Sequence, residues 1–228
     1  MKPLIPAALC TSLSLLSCSH PERNKQLPNI VYILADDLGY GDLSCYGQAR
    51  YTTPSLDRLA SRGMKFRMHY TGCTVSAPSR SCLMTGLHSG HTPIRGNKNW
   101  NPEGNWPLPG PSVTIAEMLK TRGYTTGAFG KWGLGYIDTE GDPNAQGFDE
   151  FYGYNCQTLA HNYYPDHLWH NHEKIILHEN EGARNGSYSR ILFTEKLLNL
   201  SKRTGQSPSS SFIPQHFLML SFLPKKNI

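Results

Sequence analysis

The sequence predicts an α/β fold, in which helices cover a largely parallel central sheet. Apolar, β-branched runs that are typical of strands alternate with segments that carry helix start and stop signals. Charged residues directly follow several of the predicted strands. Because ligands of such sheets collect at the carboxyl ends of the strands, the same pattern also predicts where a functional site lies.

Composition and capping signals predict the first elements of this fold. Residues 28–35 form a short apolar run of the kind found in central buried strands. Residues 53–63 begin with a threonine cap and a proline and close on a glycine, which predicts a helix. A strand over residues 64–70 and a helix over residues 78–85, stopped by Gly86, are expected to follow.

The same alternation continues further along the chain. A capping box at Thr114 and Glu117 opens a helix that ends by Gly123. Residues 124–129 then predict a strand that leads into Lys131.

The last part of the chain has fewer regular signals. Residues 135–187 are rich in glycine, proline, asparagine and aromatic residues with little periodicity, which predicts long loops over the site. A helix over residues 188–202 and an apolar strand over residues 212–223 complete the expected fold.

Length and charge limit the classes of function. The chain has 228 residues, 38% hydrophobic and 17% charged, which is enough for one domain with a sizeable core. Its net charge is +5 with neutral histidines, but the lysines and arginines are scattered. This mild basicity is compatible with an anionic substrate and argues against a nucleic-acid partner.

The amino terminus predicts export. Residues 1–18 carry one positive charge at Lys2 and an apolar run that is too short to span a bilayer, as in a signal peptide. The end of this segment, Leu-Leu-Ser-Cys, resembles a bacterial lipobox in which Cys18 becomes a lipid-anchored first residue, although plain secretion stays open. We therefore expect the export machinery as a partner and a periplasmic or outer-membrane location in a bacterium. A polar linker over residues 19–27 and a domain over residues 28–228 follow.

Four cysteines lie outside the signal, and their spacing contains neither a CxxC pair nor a zinc pattern. An exported location permits disulfides. We expect structural roles for these residues, which are Cys45, Cys73, Cys82 and Cys156.

The segment Ser-Ala-Pro-Ser-Arg at residues 76–80 is the strongest chemical signal. It places the Ser76 hydroxyl just ahead of a proline suited to the first turn of a helix, with Arg80 one turn further on. A hydroxyl at the positive end of a helix beside a guanidinium is suited to holding an anion. Ser76 is therefore the first candidate nucleophile.

Two adjacent carboxylates, Asp36 and Asp37, follow the first predicted strand. On a regular strand they would point to opposite faces, so both can reach one ion only where the strand ends and the backbone turns. Two carboxylates suit Ca²⁺ or Mg²⁺. A turn or helix cap is the alternative interpretation of an isolated aspartate pair.

Three ordered segments together resemble the type I sulfatase family. They are residues 29–42 with both aspartates, residues 76–86 with the Ser-Ala-Pro-Ser-Arg motif, and residues 127–132 with Gly-Ala-Phe-Gly-Lys-Trp. The resemblance extends to at least residue 165. It implies an alkaline-phosphatase-like sandwich and a sulfuric ester hydrolase that acts on a sulfated carbohydrate or an aryl sulfate.

The resemblance also implies a role for each motif residue. Ser76 would be oxidised to formylglycine by a maturation enzyme, and calcium rather than magnesium would bind Asp36, Asp37 and residue 76. Arg80 would hold the formylglycine and the metal cluster, and Lys131 would contact the sulfate. A helix-surface ion pair is the alternative for Arg80, and a solvated side chain is the alternative for Lys131.

Two departures from the family pattern are visible. Gly133 stands where the family commonly has a histidine, and His161 is a candidate to replace it as a substrate-binding residue. The family's remaining metal ligands would lie beyond Ile228. We therefore expect a truncated or frameshifted product with little or no activity.

Two other functions stay open on the sequence alone. A related hydrolase could transfer phosphoryl groups with unmodified Ser76 as the nucleophile and two metal ions. A non-catalytic remnant could bind anionic sugars, since the aromatic and histidine-rich residues 161–178 would suit a sugar ring.

Overall fold

The computed structural model describes residues 27–204 and 215–222, the latter by backbone alone. The strands are β1 (Ile30–Ala35), β2 (Asn99–Trp100), β3 (Gly104–Asn105), β4 (Tyr124–Lys131), β5 (Glu150–Tyr154), β6 (His167–His170), β7 (Glu173–Ile176) and β8 (Gln215–Phe222). The α-helices are α1 (Pro54–Arg62), α2 (Ser76–Thr85), α3 (Ile115–Lys120) and α4 (Ser189–Thr204).

Six strands form one mixed sheet in the order β1-β8-β4-β5-β6-β7. The pairs β1–β8, β8–β4 and β4–β5 are parallel, whereas β6 and β7 extend the sheet antiparallel beyond β5. Strands β2 and β3 form a separate antiparallel pair. This topology confirms the predicted α/β class with a largely parallel sheet, and it brings the carboxyl ends of β1, β8 and β4 to one edge.

Helices bury both faces of the sheet. Side chains of β4 and β5 alternate between two apolar clusters, as the two-residue period of a strand requires. Ala128 and Phe151 pack in the cluster that includes α2 and α3, whereas Phe129 and Tyr152 pack in the cluster that includes α4. The sheet therefore lies between two helical layers.

The predicted helices are present, with two corrections at their ends. Helix α1 starts with Pro54, but the Thr53 side chain makes no capping hydrogen bond. Helix α2 begins at Ser76 rather than at residue 78 and ends at Thr85, before Gly86 with its left-handed φ of 69°. At α3, Thr114 Oγ1 accepts from the Glu117 amide at 3.2 Å and Glu117 Oε2 accepts from the Thr114 amide at 2.7 Å. This reciprocal pair satisfies two backbone donors, which is why the helix begins there.

Three expectations about strands and loops are wrong. Residues 64–70 are exposed and pair with no strand among the described residues. Strand β1 is an edge strand in the described sheet, with Val31 and Ile33 more than half exposed, because β8 pairs it on one side only. Residues 135–187 contain β5, β6 and β7, because their aromatic residues pack in the core.

Other sequence expectations concern the termini and the cysteines. The predicted signal and Cys18 lie outside the described residues. In the described ranges, no helix has the length and apolar character needed to cross a bilayer. Cys45, Cys73, Cys82 and Cys156 are all free thiols, and the last two are buried.

Candidate active site

Sequence-distant residues meet where β1 and β4 end and α2 begins. Asp36 and Asp37 directly follow β1, Lys131 is the last residue of β4, and Ser76 is the first residue of α2. A cleft of about 210 Å³ opens between the two aspartates and Ser76, and Lys131 is connected to it through its bond to Asp36. The cleft is lined by Leu34, Ala35, Asp36, Asp37, Leu38, Thr71, Cys73, Thr74, Val75, Ser76, Ser79 and Arg80.

Arg80 links the parts of this cleft. Its guanidinium donates from Nε to Ser76 Oγ at 3.1 Å and from Nη1 to the Lys131 carbonyl oxygen at 2.7 Å. Nη2 also lies 3.8 Å from Asp36 Oδ2. The residue is only 3% exposed, so it is not the helix-surface ion pair of the alternative interpretation. Burial lowers the pKa of Arg80 to about 10 against the opposing effect of Asp36, and the side chain stays charged at neutral pH.

Lys131 is buried and bonded to Asp36. Its Nζ donates to Asp36 Oδ2, which joins the ends of two strands that have β8 between them. Burial and then the positive charge of Arg80 lower the pKa of Lys131, while the hydrogen bond and charge of Asp36 oppose that shift. The solvated alternative for Lys131 is therefore excluded.

The backbone turns at the two aspartates. Asp37 has a left-handed φ of 59°, so the regular alternation of β1 stops there and both carboxyl groups line the same cleft. Together with Ser76 Oγ, the two carboxylates offer only oxygen atoms as ligands, and oxygen is the ligand type that hard divalent cations prefer. Among the described residues, no cluster of three histidine, cysteine or acidic side chains surrounds one point. The three side chains of Asp36, Asp37 and Ser76 provide fewer oxygen atoms than the 6 to 8 that a calcium site requires.

The start of α2 offers fewer free N–H groups than the sequence indicates. The Ala77 amide donates to Asn97 Oδ1 at 2.9 Å, Pro78 has no N–H, and the Ser79 amide donates to the Val75 carbonyl at 3.0 Å. The positive groups of the cleft are therefore chiefly the side chains of Arg80 and Lys131. No local sequence motif signals the contact of Asn97 with α2.

The space next to Gly133, where a side chain would begin, is occupied by the side chain of Gln157. Gly133 has a φ of +76°, and a Cβ added there would lie 2.2 Å from Gln157 Nε2 and 3.7 Å from Arg80 Cδ. His161 is exposed, does not line the cleft around Ser76, and pairs through Nδ1 with the Gln157 carbonyl oxygen at 2.7 Å. The structure thus brings five predicted site residues together but leaves His161 outside, and its substrate-binding role stays a prediction.

A second and larger cleft lies beside Cys156. Its volume is about 410 Å³, and Cys156, Trp100 and Glu103 are among the residues that line it. Glu103 accepts hydrogen bonds from His167 Nε2 at 2.8 Å and Trp169 Nε1 at 3.0 Å. No lysine or arginine is among the residues that line this larger cleft.

Comparison with known proteins identifies the family. The model of the family described as Sulfatase matches residues 28–216, which is most of the chain. The chain therefore belongs to the sulfatase family, as the three motifs indicated.

Individual relatives show the extent of this likeness. The chain is 42% identical over 165 residues to an N-acetylgalactosamine-6-O-sulfatase of Bacteroides thetaiotaomicron, covering 64% of this chain and 30% of that protein. It is 47% identical over 131 residues to human arylsulfatase A, covering 55% of this chain and 25% of that protein. The chain thus spans about a quarter to a third of the length of these relatives.

Solved structures share the fold. The crystal structure of Ps i-CgsB in complex with k-i-k-neocarrahexaose matches with a TM-score of 0.72 and 29% identity, covering 89% of this chain and 46% of that chain. BT4656 in complex with D-glucosamine-2-N,6-O-disulfate matches with a TM-score of 0.66 and 26% identity, covering 89% of this chain and 35% of that chain. The expected sulfatase-type fold is confirmed.

Proposed function

We propose that this chain carries the amino-terminal part of the active site of a sulfuric ester hydrolase, with Ser76 as the reacting residue. The observation that supports this proposal is a network of contacts among Ser76, Arg80, Lys131 and Asp36 beside one cleft, in a chain that belongs to the sulfatase family. A buried guanidinium and a buried ammonium beside a hydroxyl are suited to a substrate whose reacting group is a compact anion.

The proposed nucleophile is formylglycine, made from Ser76 when a maturation enzyme removes two hydrogens from the side chain. When hydrated, this aldehyde supplies one hydroxyl that attacks sulfur, which breaks the ester bond and releases the substrate's alcohol with a proton. The second hydroxyl then loses its proton, and sulfate leaves as the carbonyl is restored. Arg80 holds the side chain of residue 76 through the bond from Nε, and Asp36 in turn holds Lys131. Lys131 then stabilises negative charge that develops on the sulfate oxygens.

Calcium is the proposed cofactor, with Asp36, Asp37 and residue 76 as ligands. Two carboxylates and two cations leave the described cleft with little net charge, so a divalent ion would restore the positive excess that a sulfate ester requires. When bound, the ion would also lower the pKa of the hydroxyl at residue 76. Magnesium is the less favoured candidate because it retains more coordinated water molecules than calcium does.

A sulfated carbohydrate is the proposed substrate class. The names of the relatives support it, since one is an N-acetylgalactosamine-6-O-sulfatase and two matching crystal structures contain a neocarrahexaose or a glucosamine disulfate. The larger cleft beside residues 155–157 contains Trp100 and polar side chains, which suit a sugar ring. An aryl sulfate is the alternative, as the name arylsulfatase A indicates for another relative.

The mass of the tryptic peptide 68–80 tests the proposed chemistry. In a host that matures bacterial serine-type sulfatases, we expect a peptide that lacks two hydrogens at Ser76. Ser79→Ala serves as the matched control, because its peptide should carry the same loss, whereas Ser76→Ala should not. An intact serine together with activity on a phosphate ester would instead favour the phosphoryl-transfer alternative.

We also propose export with a lipid anchor at Cys18. The support is the predicted signal over residues 1–18 and the lipobox-like sequence at its end. Labelling of cells with a tagged fatty acid should mark the protein, and Cys18→Ser should remove the label. Cys45→Ser, which changes a cysteine of the folded domain, should retain it. A secreted and unlabelled protein would favour plain secretion.

A further inference from the structure

The Gln157 side chain carries a hydrogen-bond donor that has no partner. The residue is 7% exposed, and its Nε2 has no hydrogen-bond partner among the described residues. Leaving a buried donor unpaired costs free energy, so such a group in a folded protein calls for an explanation. Two residues earlier, Asn155 is fully buried with neither side-chain amide atom paired.

The backbone around Gln157 is firmly held. The Gln157 amide donates to Asn105 Oδ1 at 2.8 Å, and its carbonyl oxygen pairs with His161 Nδ1 at 2.7 Å. Upstream, the Gly133 amide donates to the Asn155 carbonyl at 3.0 Å. The segment therefore lies alongside the residues that follow β4, and the direction of the Gln157 side chain is set by its backbone.

The side chain extends into the space beside Gly133. The space beside Gly133 that a Cβ would fill is taken by Gln157 Nε2, and Arg80 Cδ borders the same space. In Arg80, Cδ is bonded to Nε, the atom that donates to Ser76 Oγ. The unpaired amide and the side chain of Arg80, which holds the reacting hydroxyl, thus border the same space, and the absence of a side chain at Gly133 makes room for the amide.

We propose that Gln157 is a positioning residue of the sulfate site, whose Nε2 donates a hydrogen bond to an oxygen of the anion bound beside Ser76. This proposal rests on the proposed function. It assigns to Gln157, rather than to His161, the role of the donor near Gly133. Gln157 Nε2 would be a third hydrogen-bond donor to the anion, beside Arg80 and Lys131. Binding of the anion would then give this amide the hydrogen-bond partner that it lacks among the described residues.

A pair of substitutions tests the shared space. Gly133→Ala should destabilise the protein, because the new Cβ meets the amide and because φ is +76°. Gln157→Ala should recover the part of that loss that arises from the contact. A double-mutant cycle on the urea midpoint measures this coupling. Additive effects would show that the amide does not occupy the space beside Gly133 and would overturn the proposal.

The anion contact has a distinctive signature. Gln157→Met replaces an unpaired amide by an apolar group of similar length, so the melting temperature without sulfate should stay equal or rise. The affinity for inorganic sulfate, read from the shift in melting temperature at constant ionic strength, should fall about tenfold or more. Gln48→Met, which changes a glutamine bonded to the Gly41 carbonyl, is the matched control and should leave sulfate affinity unchanged.

Two other outcomes of these measurements would overturn the proposal. A Gln157→Met protein that melts lower and binds sulfate normally would show a packing role only, and a parent protein with no sulfate response would overturn the proposal as well. Gln157→Glu should also lose sulfate affinity, because a carboxylate repels the anion. The mass of peptide 68–80 in the same preparations reports on the proposed function separately, since maturation of Ser76 does not require the Gln157 amide to bind sulfate.

Discussion

Arg80 donates from Nη1 to the carbonyl oxygen of Lys131 at 2.7 Å, and this bond joins helix α2 to the end of strand β4. The same guanidinium reaches Ser76 on its own helix and approaches Asp36 after β1. One buried side chain thus ties together three elements that are distant in sequence. The stability of the cleft should depend on it.

Replacing Arg80 by methionine should destabilise the fold by about 1–3 kcal/mol, because the Lys131 carbonyl loses its donor and Asp36 keeps only one of its two neighbouring cations. Urea unfolding followed by circular dichroism measures the change. Arg122→Met, at an exposed position after α3, is the control and should change stability by less than about 0.5 kcal/mol. Equal unfolding midpoints for the two variants would contradict the linking role of Arg80.

Calcium should raise the melting temperature, and Asp37→Asn should reduce that rise. The described residues supply few oxygen ligands, so we expect a dissociation constant of about 1 mM rather than tight binding. A calcium titration followed by thermal unfolding tests this. Asp138→Asn, also an exposed aspartate with positive φ, is the matched control and should keep the full response. The same response in all three proteins would exclude Asp37 as a ligand.

Glu103→Gln should lower stability most at mildly acidic pH. The hydrogen bond to Glu103 raises the pKa of His167 against the opposing effect of burial. Burial tends to raise the pKa of Glu103, but the bonds from His167 and Trp169 outweigh it and leave that pKa lowered. The contribution of Glu103 to the free energy of unfolding is lost as pH falls through its lowered pKa. The contribution of His167 is lost as pH rises through its raised pKa.

The pair therefore contributes most between the unfolded pKa values of about 4.3 for glutamate and 6.5 for histidine. We expect a loss of about 1–3 kcal/mol near pH 5.5 and a smaller loss at pH 9. Urea unfolding at both pH values measures it, with the exposed Glu173→Gln as control. A loss that is independent of pH would show that the charges of this pair do not matter.

Gly153→Ala should disrupt the centre of the sheet. Gly153 lies opposite Gly130 in the β4–β5 pair, and an added Cβ would lie 1.8 Å from the Gly130 carbonyl oxygen. Because backbone must move to relieve this contact, we expect a loss of about 3 kcal/mol or more, or an insoluble product. Gly41→Ala is the control, since a Cβ there meets nothing within 4 Å. Soluble expression and the urea midpoint separate the two variants.

Local sequence patterns predicted much of the fold. A proline located the start of α1, a glycine the end of α2 and a capping box the start of α3, because these signals act on the backbone within a few residues. The strand over residues 64–70 was wrong, because an alternating apolar run forms a strand only where a partner strand pairs with it. The aromatic residues of 135–187 did not reveal β5 to β7. Each of these strands is only four or five residues long, too short to show a clear alternation, and the burial of their side chains depends on distant helices such as α4.

By itself, the sequence determined the chemistry of the site: a hydroxyl and an arginine one turn apart on a helix, two carboxylates after one strand and a lysine after another. Tertiary structure alone decided that Asp36 and Lys131, 95 residues apart, meet across the end of β8, and that Gln157 rather than His161 lies beside Gly133. The reason is physical. Residue type and short spacing fix local backbone geometry, whereas contacts across a sheet depend on strand order and register, which are set by the packing of the whole domain.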